Sequence, residues 1–244
     1  MAVLNQNSYM QFERERSMPA LDLAMRIEHD HPEKILDIGC GQGNSTNILS
    51  RLWKDASIIG IDNSPSMLSD LSFLGKFDII FSNAVFQRIP QNDRLIPKLF
   101  SMLNPDGVLA VQVPFVKEML IHEILLDMIE TPKWSRFFKG ISESYKVFPP
   151  DFYYDVLYDF TPDIQLWETR YYHVMDGFED LLYWYESAGL KPYLDCLPDQ
   201  KSKTKFQNEL LIEIMKYYPA NQDGKILFPF HRVFFIANNK KIAC

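Results

Sequence analysis

Apolar positions along the chain gather into short, mostly apolar runs separated by stretches of helical period. Residues 35–38, 57–61, 77–81 and 108–113 are such runs. Their continuity is what a parallel strand buried on both faces requires. After Ser45 the residues Ile48, Leu49, Leu52 and Trp53 recur at helical spacing, and Asn92 or Asp93 can cap a second helix reaching Met102. Strand, helix, strand in succession predicts an open α/β sheet with parallel order. A first helix is expected from Ser17, with Pro19 in its opening turn and Leu21, Leu23, Ala24 and Ile27 as its apolar content. Asn104, Pro105, Asp106 and Gly107 mark a turn ahead of the run at 108–113. From about Phe115 the alternation breaks. Helical patterns at 117–129 and 150–158 flank the aromatic residues Trp134, Phe137, Phe138, Tyr145 and Phe148. Residues 115–160 are therefore expected to form a helical, aromatic-rich insertion that serves as a lid or substrate pocket. A strand at 164–173, helices at 177–188 and 200–217, and a last strand in the second half of 225–237 follow.

The run at 35–38 organises the rest. It ends in Gly39, Gly41 and Gly43, and a helix begins directly after them. Strand, glycine turn and helix make the first half of a nucleotide-binding unit. Asp37 stands at the carboxyl end of the strand, where open α/β sheets bind ligands. A dinucleotide fingerprint would place its third glycine where this chain has Asn44, which counts against a nicotinamide-linked oxidoreductase. Asp37, Gly39, Gly41 and Gly43 instead resemble the first motif of the class I S-adenosylmethionine-dependent methyltransferases. The second strand ends in Asp62, about twenty residues beyond the glycines, where a carboxylate is placed to accept from both hydroxyls of a ribose. Ser64 and Pro65 then read as a helix start.

Composition narrows the class. The chain of 244 residues is 47% hydrophobic and carries a formal net charge of -7. One domain over 1–244 is expected, with residues 1–30 as an N-terminal cap. No basic run offers a nucleic-acid surface, and no apolar run reaches membrane-spanning length. The three cysteines, Cys40, Cys196 and Cys244, are scattered, which favours a reducing compartment over a disulfide framework or a zinc site. No signal-peptide core stands in the first residues. A cytoplasmic protein, monomeric or weakly dimeric, without nucleic-acid or membrane partners, is the expectation. His29, His31 and His122 are expected to be solvated, and the five histidines show no metal-ligand spacing.

Later segments resemble one family. Glu15, Arg16, Ser17 and the run from Pro19 to Leu23 are similar to the N-terminus of trans-aconitate methyltransferases. So are the stretches 43–46, 60–65 and 82–84, Trp167 to Thr169 with Tyr171, Tyr172 and His173, and Leu227 to Phe230 with Arg232. The likeness keeps its order through nearly the whole chain. It implies a seven-stranded Rossmann-like sheet with an antiparallel last strand, S-adenosylmethionine as cofactor, and methyl esterification of a tricarboxylate such as trans-aconitate. Three departures stand out. Met18 replaces a usual arginine, Arg88 replaces a usual tryptophan after Gln87, and only residues 63–76 separate Asp62 from the next strand. The family fits a helix, a third strand and an acidic adenine-contacting motif into that interval; Asp70 and Leu71 read as a remnant of the motif. The third strand is apparently missing. A stretch omitted near 68–71 is favoured over a true deletion, because losing a strand would bare a long sheet edge.

These readings assign the residues. Asp37, Gly39, Cys40 and Gly41 are expected along the methionine part of the cofactor, Asp62 at the ribose, Asn63 and Met67 beside it, and Asn83 with Ala84 on the adjoining wall. A carboxylate acceptor is ionised at neutral pH, so no general base is expected and catalysis rests on positioning. The acid needs cationic and hydroxyl donors, for which Arg232, Tyr171, Tyr172, His173, Arg16 and Arg88 are the candidates. On a strand Tyr171 and Tyr172 face opposite ways, so at most one of them meets the acid. The alternatives are a methyltransferase for another small molecule and a cofactor-binding protein without catalysis.

Overall fold

The computed structural model describes residues 12–62, 74–141 and 147–240. Among them six strands form one sheet: β1 (Lys34–Ile38), β2 (Ser57–Ile61), β3 (Phe77–Asn83), β4 (Leu103–Pro114), β5 (Ile164–Met175) and β6 (Ile226–Asn238). Their order is β2-β1-β3-β4-β6-β5. β2, β1, β3 and β4 run parallel, and β6 lies antiparallel to β4. The strand order turns back at β1, which pairs with β2 on one side and β3 on the other. That reversal opens a crevice at the carboxyl ends of the strands.

Burial explains the mostly apolar runs. Ile35, Leu36, Ile79, Ile80, Phe81 and residues 108–111 have essentially no exposed surface. Burying each larger side chain of this kind contributes about 1.5–3 kcal/mol. β2 differs, because only Ile61 is buried and Ile58 and Ile59 are partly covered. It is the outermost strand, on the side where a third strand would pair. Residues 63–73 lie outside the described residues. So do the expected helix start at Ser64 and Pro65, the contacts given to Asn63 and Met67, and the omission expected near 68–71.

Helices α1 (Glu13–Ala24), α2 (Asn44–Leu52) and α3 (Asn92–Ser101) belong to the first half of the chain. α1 begins earlier than Ser17, so Pro19 stands inside the helix and not in its first turn. A proline there removes one backbone donor. The helix persists because Pro19, Ala20, Leu23 and Ala24 are all buried, and packing outweighs the lost bond. The turn at 104–107 also falls differently from expectation, within β4 and not before it. Phe77 pairs with Leu103 and Ile79 with Val108, so the intervening residues bulge out, with Asp106 left-handed at φ 63. Asn104 Nδ2 donates to Asp78 Oδ1 at 2.7 Å and fixes the bulge.

The chain clusters into two compact units. One comprises Met1–Pro114, Tyr145–Thr169 and Arg232–Cys244; the other comprises Phe115–Ser144 and Arg170–His231. β5 and β6 each have one end in each unit. Helix α4 (Leu120–Glu130) falls in the second unit and α5 (Pro150–Tyr158) in the first. In the first unit Tyr153 of α5 meets Phe235 at 5.2 Å, and Trp167 stacks on Phe234 at 5.0 Å beneath the Arg26 guanidinium. The second unit adds α6 (Phe178–Tyr185), α7 (Lys191–Asp195) and α8 (Gln200–Tyr217). Its core is aromatic: Trp134 meets Phe206 edge-on at 4.9 Å, and Trp184 meets Phe230 at 4.7 Å. His122 is not solvated as expected. It is buried in α4, with Nδ1 2.8 Å from the Tyr185 hydroxyl, because it lies on the apolar face of that helix. Among the described residues no helix is long and apolar enough to cross a membrane.

Candidate functional site

The carboxyl end of β1 is built almost wholly from backbone. Gly39, Gly41 and Gly43 have φ of 77, 52 and 92, a region that costs an L-residue about 1–2 kcal/mol. The Gly39 N–H donates to the Ile61 carbonyl at 2.7 Å, and Cys40 N–H reaches the same oxygen at 3.2 Å. The glycine turn is thereby tied to the end of β2, beside Asp62. A Cβ on Gly41 would sit 3.4 Å from Asp62 Oδ2. Asp62 therefore lies against the glycine turn. Gly39 is needed for a second reason, since a Cβ there would fall 1.9 Å from Val85 Cγ2. The loop after β3 packs directly on the turn.

Asp37 is fully buried. Its Oδ2 accepts from Ser45 Oγ at 2.7 Å and Thr46 Oγ1 at 2.6 Å, both in the first turn of α2. Burial raises its pKa above the ordinary carboxylate value, the two hydroxyls oppose that rise, and the Asp62 charge adds to it. Its Oδ1 is buried and accepts no hydrogen bond. Burial, with the charges of Asp37 and Asp62, pushes the Cys40 thiol up as well, so it stays protonated at neutral pH.

The wall opposite the turn comes from β3 and the loop beyond it. Ala84 is left-handed at φ 59, one of two such non-glycine residues among those described. Its N–H donates to the Gln112 carbonyl at 3.0 Å, and its own carbonyl accepts from Gln87 Nε2 at 2.7 Å. Asn92, fully buried at the start of α3, donates to the Phe86 and Ile89 carbonyls and holds the loop closed. The Oδ1 of Asn83 is buried without a donor.

The acid-binding candidates distribute differently. Arg232 is buried in β6 opposite Pro114, the last residue of β4, and its Nη1 donates to Gln112 Oε1 at 3.0 Å. Arg16 lies on α1 and Arg88 is exposed in the short turn Phe86–Arg88; both belong to the first unit. Tyr171, Tyr172 and His173 belong to the second. Tyr171 is half-buried, Tyr172 is exposed, and His173 packs with Trp184 and Phe230 at 5.6 and 5.7 Å. Ser45, Thr46, Val85 and Gln112 were not singled out from sequence. A lone amide in the apolar run 108–113 was the available signal for Gln112. Among the described residues no group of three His, Cys, Asp or Glu side chains is placed to hold a metal.

A methyltransferase domain model matches residues 10–144. The trans-aconitate 2-methyltransferase of Yersinia pestis (strain Pestoides F) is 35% identical over 252 residues, covering 96% of this chain and 97% of that one. The chain belongs to the trans-aconitate 2-methyltransferase family. The Klebsiella pneumoniae (strain 342) enzyme of the same name is 33% identical over 256 residues, covering 97% and 98%. In the Yersinia alignment 252 residues match only 96% of a 244-residue chain, so that relative carries residues without a counterpart here. Among solved structures, the phosphoethanolamine N-methyltransferase 2 of Haemonchus contortus, in complex with phosphomonomethylethanolamine and S-adenosylhomocysteine, shares the fold. Its TM-score is 0.52 at 14% identity; the match covers 92% of this chain and about half, 53%, of that one. As a family methyltransferase, the chain takes S-adenosylmethionine as cofactor, and the turn fits it. A backbone cradle without Cβ atoms, an open buried acceptor on Asp37, and Asp62 at the second strand end suit a ligand that bears an ammonium group and a ribose.

Proposed function

We propose that this chain methylates a carboxylate of a small polycarboxylic acid such as trans-aconitate. The observation that carries the reading is the buried guanidinium of Arg232, held at the sheet's carboxyl edge by a neutral partner, Gln112. A planar cation fixed in this way is suited to a carboxylate, with two parallel hydrogen bonds. The family's name for its relatives points the same way.

When bound, S-adenosylmethionine would supply an electrophilic sulfonium methyl, which a carboxylate oxygen takes in line as the methyl–sulfur bond breaks and the neutral thioether leaves. The chain's own task is placement. Asp37 and the glycine turn hold the methionine end, Asp62 accepts from the ribose, and Asn83 with Ala84 line the far wall. Arg232 fixes one carboxylate, which sets the oxygen of another. No proton has to be removed, because carboxylic acids of this kind are ionised at pH 7. Orientation alone can lower the barrier by several kcal/mol. Arg16 and Arg88, in the same unit as Arg232, complete the proposed donors. A monomer or weak homodimer in the cytoplasm, without nucleic-acid or membrane partners, completes this reading.

The test is an initial-rate assay of methyl transfer to trans-aconitate, citrate and isocitrate, beside an amine and a phenol. Esterification of one of the acids supports the reading. Methylation of the amine or phenol alone rejects the substrate class, and tight S-adenosylhomocysteine binding with no turnover of any acceptor rejects catalysis.

A further inference from the structure

We propose that Gln112 is the positioning residue of the acid site: its side-chain amide fixes the Arg232 guanidinium at one end and donates to an acceptor oxygen of the bound carboxylate at the other. The proposal rests on Arg232 being the carboxylate anchor.

Gln112 is fully buried, in a strand whose run 108–113 is otherwise apolar. It pairs in register with Asn83 of β3 and with Phe234 of β6, while Arg232 lies opposite Pro114. Side chains alternate along strands, so Asn83, Gln112 and Arg232 share one face of the sheet. The chemistry of arginine settles which way the amide points. A guanidinium has donors and no acceptor, so the amide atom 3.0 Å from Arg232 Nη1 is the oxygen. The NH2 group is then at the opposite end. It is buried and has no hydrogen-bond partner. Buried polar groups are almost always paired, and an exception calls for a reason. Beside a cation, a spare donor calls for an anionic oxygen. The Gln112 carbonyl meanwhile accepts from Ala84 N–H, which ties this corner to the wall of the cofactor turn. One residue therefore sets the acid anchor through its side chain and the cofactor wall through its backbone. A leucine would fill the strand equally well and could do only the second.

The experiment uses the full chain as wild type, Gln112→Leu, Gln112→Glu and Arg232→Leu. It measures initial rates on trans-aconitate from pH 5.5 to 8.5 and titrates S-adenosylhomocysteine by calorimetry. Gln112→Leu is expected to raise KM for the acid about tenfold or more, with kcat and cofactor Kd within about threefold, the loss of one buried hydrogen bond in a ground-state contact. Gln112→Glu should be worse than Gln112→Leu at high pH, since an ionised carboxylate neutralises Arg232 and repels the substrate. Relative to wild type it should recover as pH falls, because a protonated glutamic acid again offers a donor. A merely structural role gives the opposite pattern: cofactor affinity and Tm fall in Gln112→Leu, and the Glu variant shows no recovery. That result, or an unchanged KM in Gln112→Leu, overturns the proposal. A wild type that methylates no acid defeats the functional reading itself, before any variant is made. A fully active Arg232→Leu with an active wild type removes the anchor, and Gln112's role with it.

Discussion

The two corners of the sheet's carboxyl edge are built on opposite plans. The turn after β1 is made of backbone, short side chains and left-handed glycines, all within residues 37–62. The Arg232 corner is made of long polar side chains from β4 and β6, in residues 112 and 232, brought together by an antiparallel pairing. The first corner gains its shape from what is absent, because any Cβ at Gly39 collides with Val85. The second gains it from what is present, a cation and an amide that lock one another. The proposed cofactor corner thus tolerates little variation, and the proposed acid corner is made of side chains that can be exchanged singly.

Changes at the first corner should therefore be the more drastic. Gly39→Ala combines a left-handed backbone with a steric clash and should destabilise the fold by roughly 2–5 kcal/mol. Denaturant melts of this variant, with Val85→Ala as partial rescue, check it. If Val85→Ala restores nothing, the clash is not the cause. At the second corner Arg232→Leu should lower kcat/KM for the acid by about 2–5 kcal/mol and leave S-adenosylhomocysteine affinity nearly unchanged. Arg232→Lys should rescue poorly, because a point charge does not replace a planar fork. Equal damage to cofactor and acid would mean the corners are not separable.

A smaller effect is expected at the ribose. Asp62→Ala should weaken S-adenosylhomocysteine binding by about 1–3 kcal/mol in calorimetry, without changing Tm of the free protein.

The smallest concerns pH and has the opposite sign for stability. Asp37 has a raised pKa when folded, chiefly through burial. Above the unfolded value near 3.8 the unfolded chain releases that proton more readily than the folded one, so ionisation of Asp37 costs stability as pH rises through its folded pKa. Asp37→Asn should then raise the Tm of the free protein at pH 7, and the gain should shrink towards pH 4. Cofactor affinity should fall at the same time. A variant less stable than wild type at pH 7 would show that the Ser45 and Thr46 hydroxyls outweigh the desolvation of the charge.

Much of this was legible in the chain. Asp37, Gly39, Gly41 and Asp62 were readable because strand ends and glycine turns are local, and their spacing carries the geometry. The antiparallel last strand followed from the family resemblance and was found, in a sheet of six described strands where seven were expected. Pro19 misled, because burial of α1 overrode the preference of proline for a first turn. The turn at 104–107 was recognised as a turn, but its place inside a bulged strand depended on Phe77, Asp78 and Asn239, none of them near it in sequence. His122 was read as solvated although it stands in an apolar helix, because its partner Tyr185 lies more than sixty residues away in sequence.

By itself, then, the sequence determined the alternation of buried strands and covering helices and the glycine turn with its two acids. Each rests on interactions among near neighbours, where hydrophobic period, left-handed backbone and strand length leave few options. Only the tertiary structure decided that Val85 closes on Gly39, that Ser45 and Thr46 reach back to Asp37, and that Gln112 faces Arg232. The last depends on strand register, since a shift of one residue would turn Gln112 or Arg232 to the other face of the sheet; the first two depend on how the loop after β3 and helix α2 pack on the end of β1.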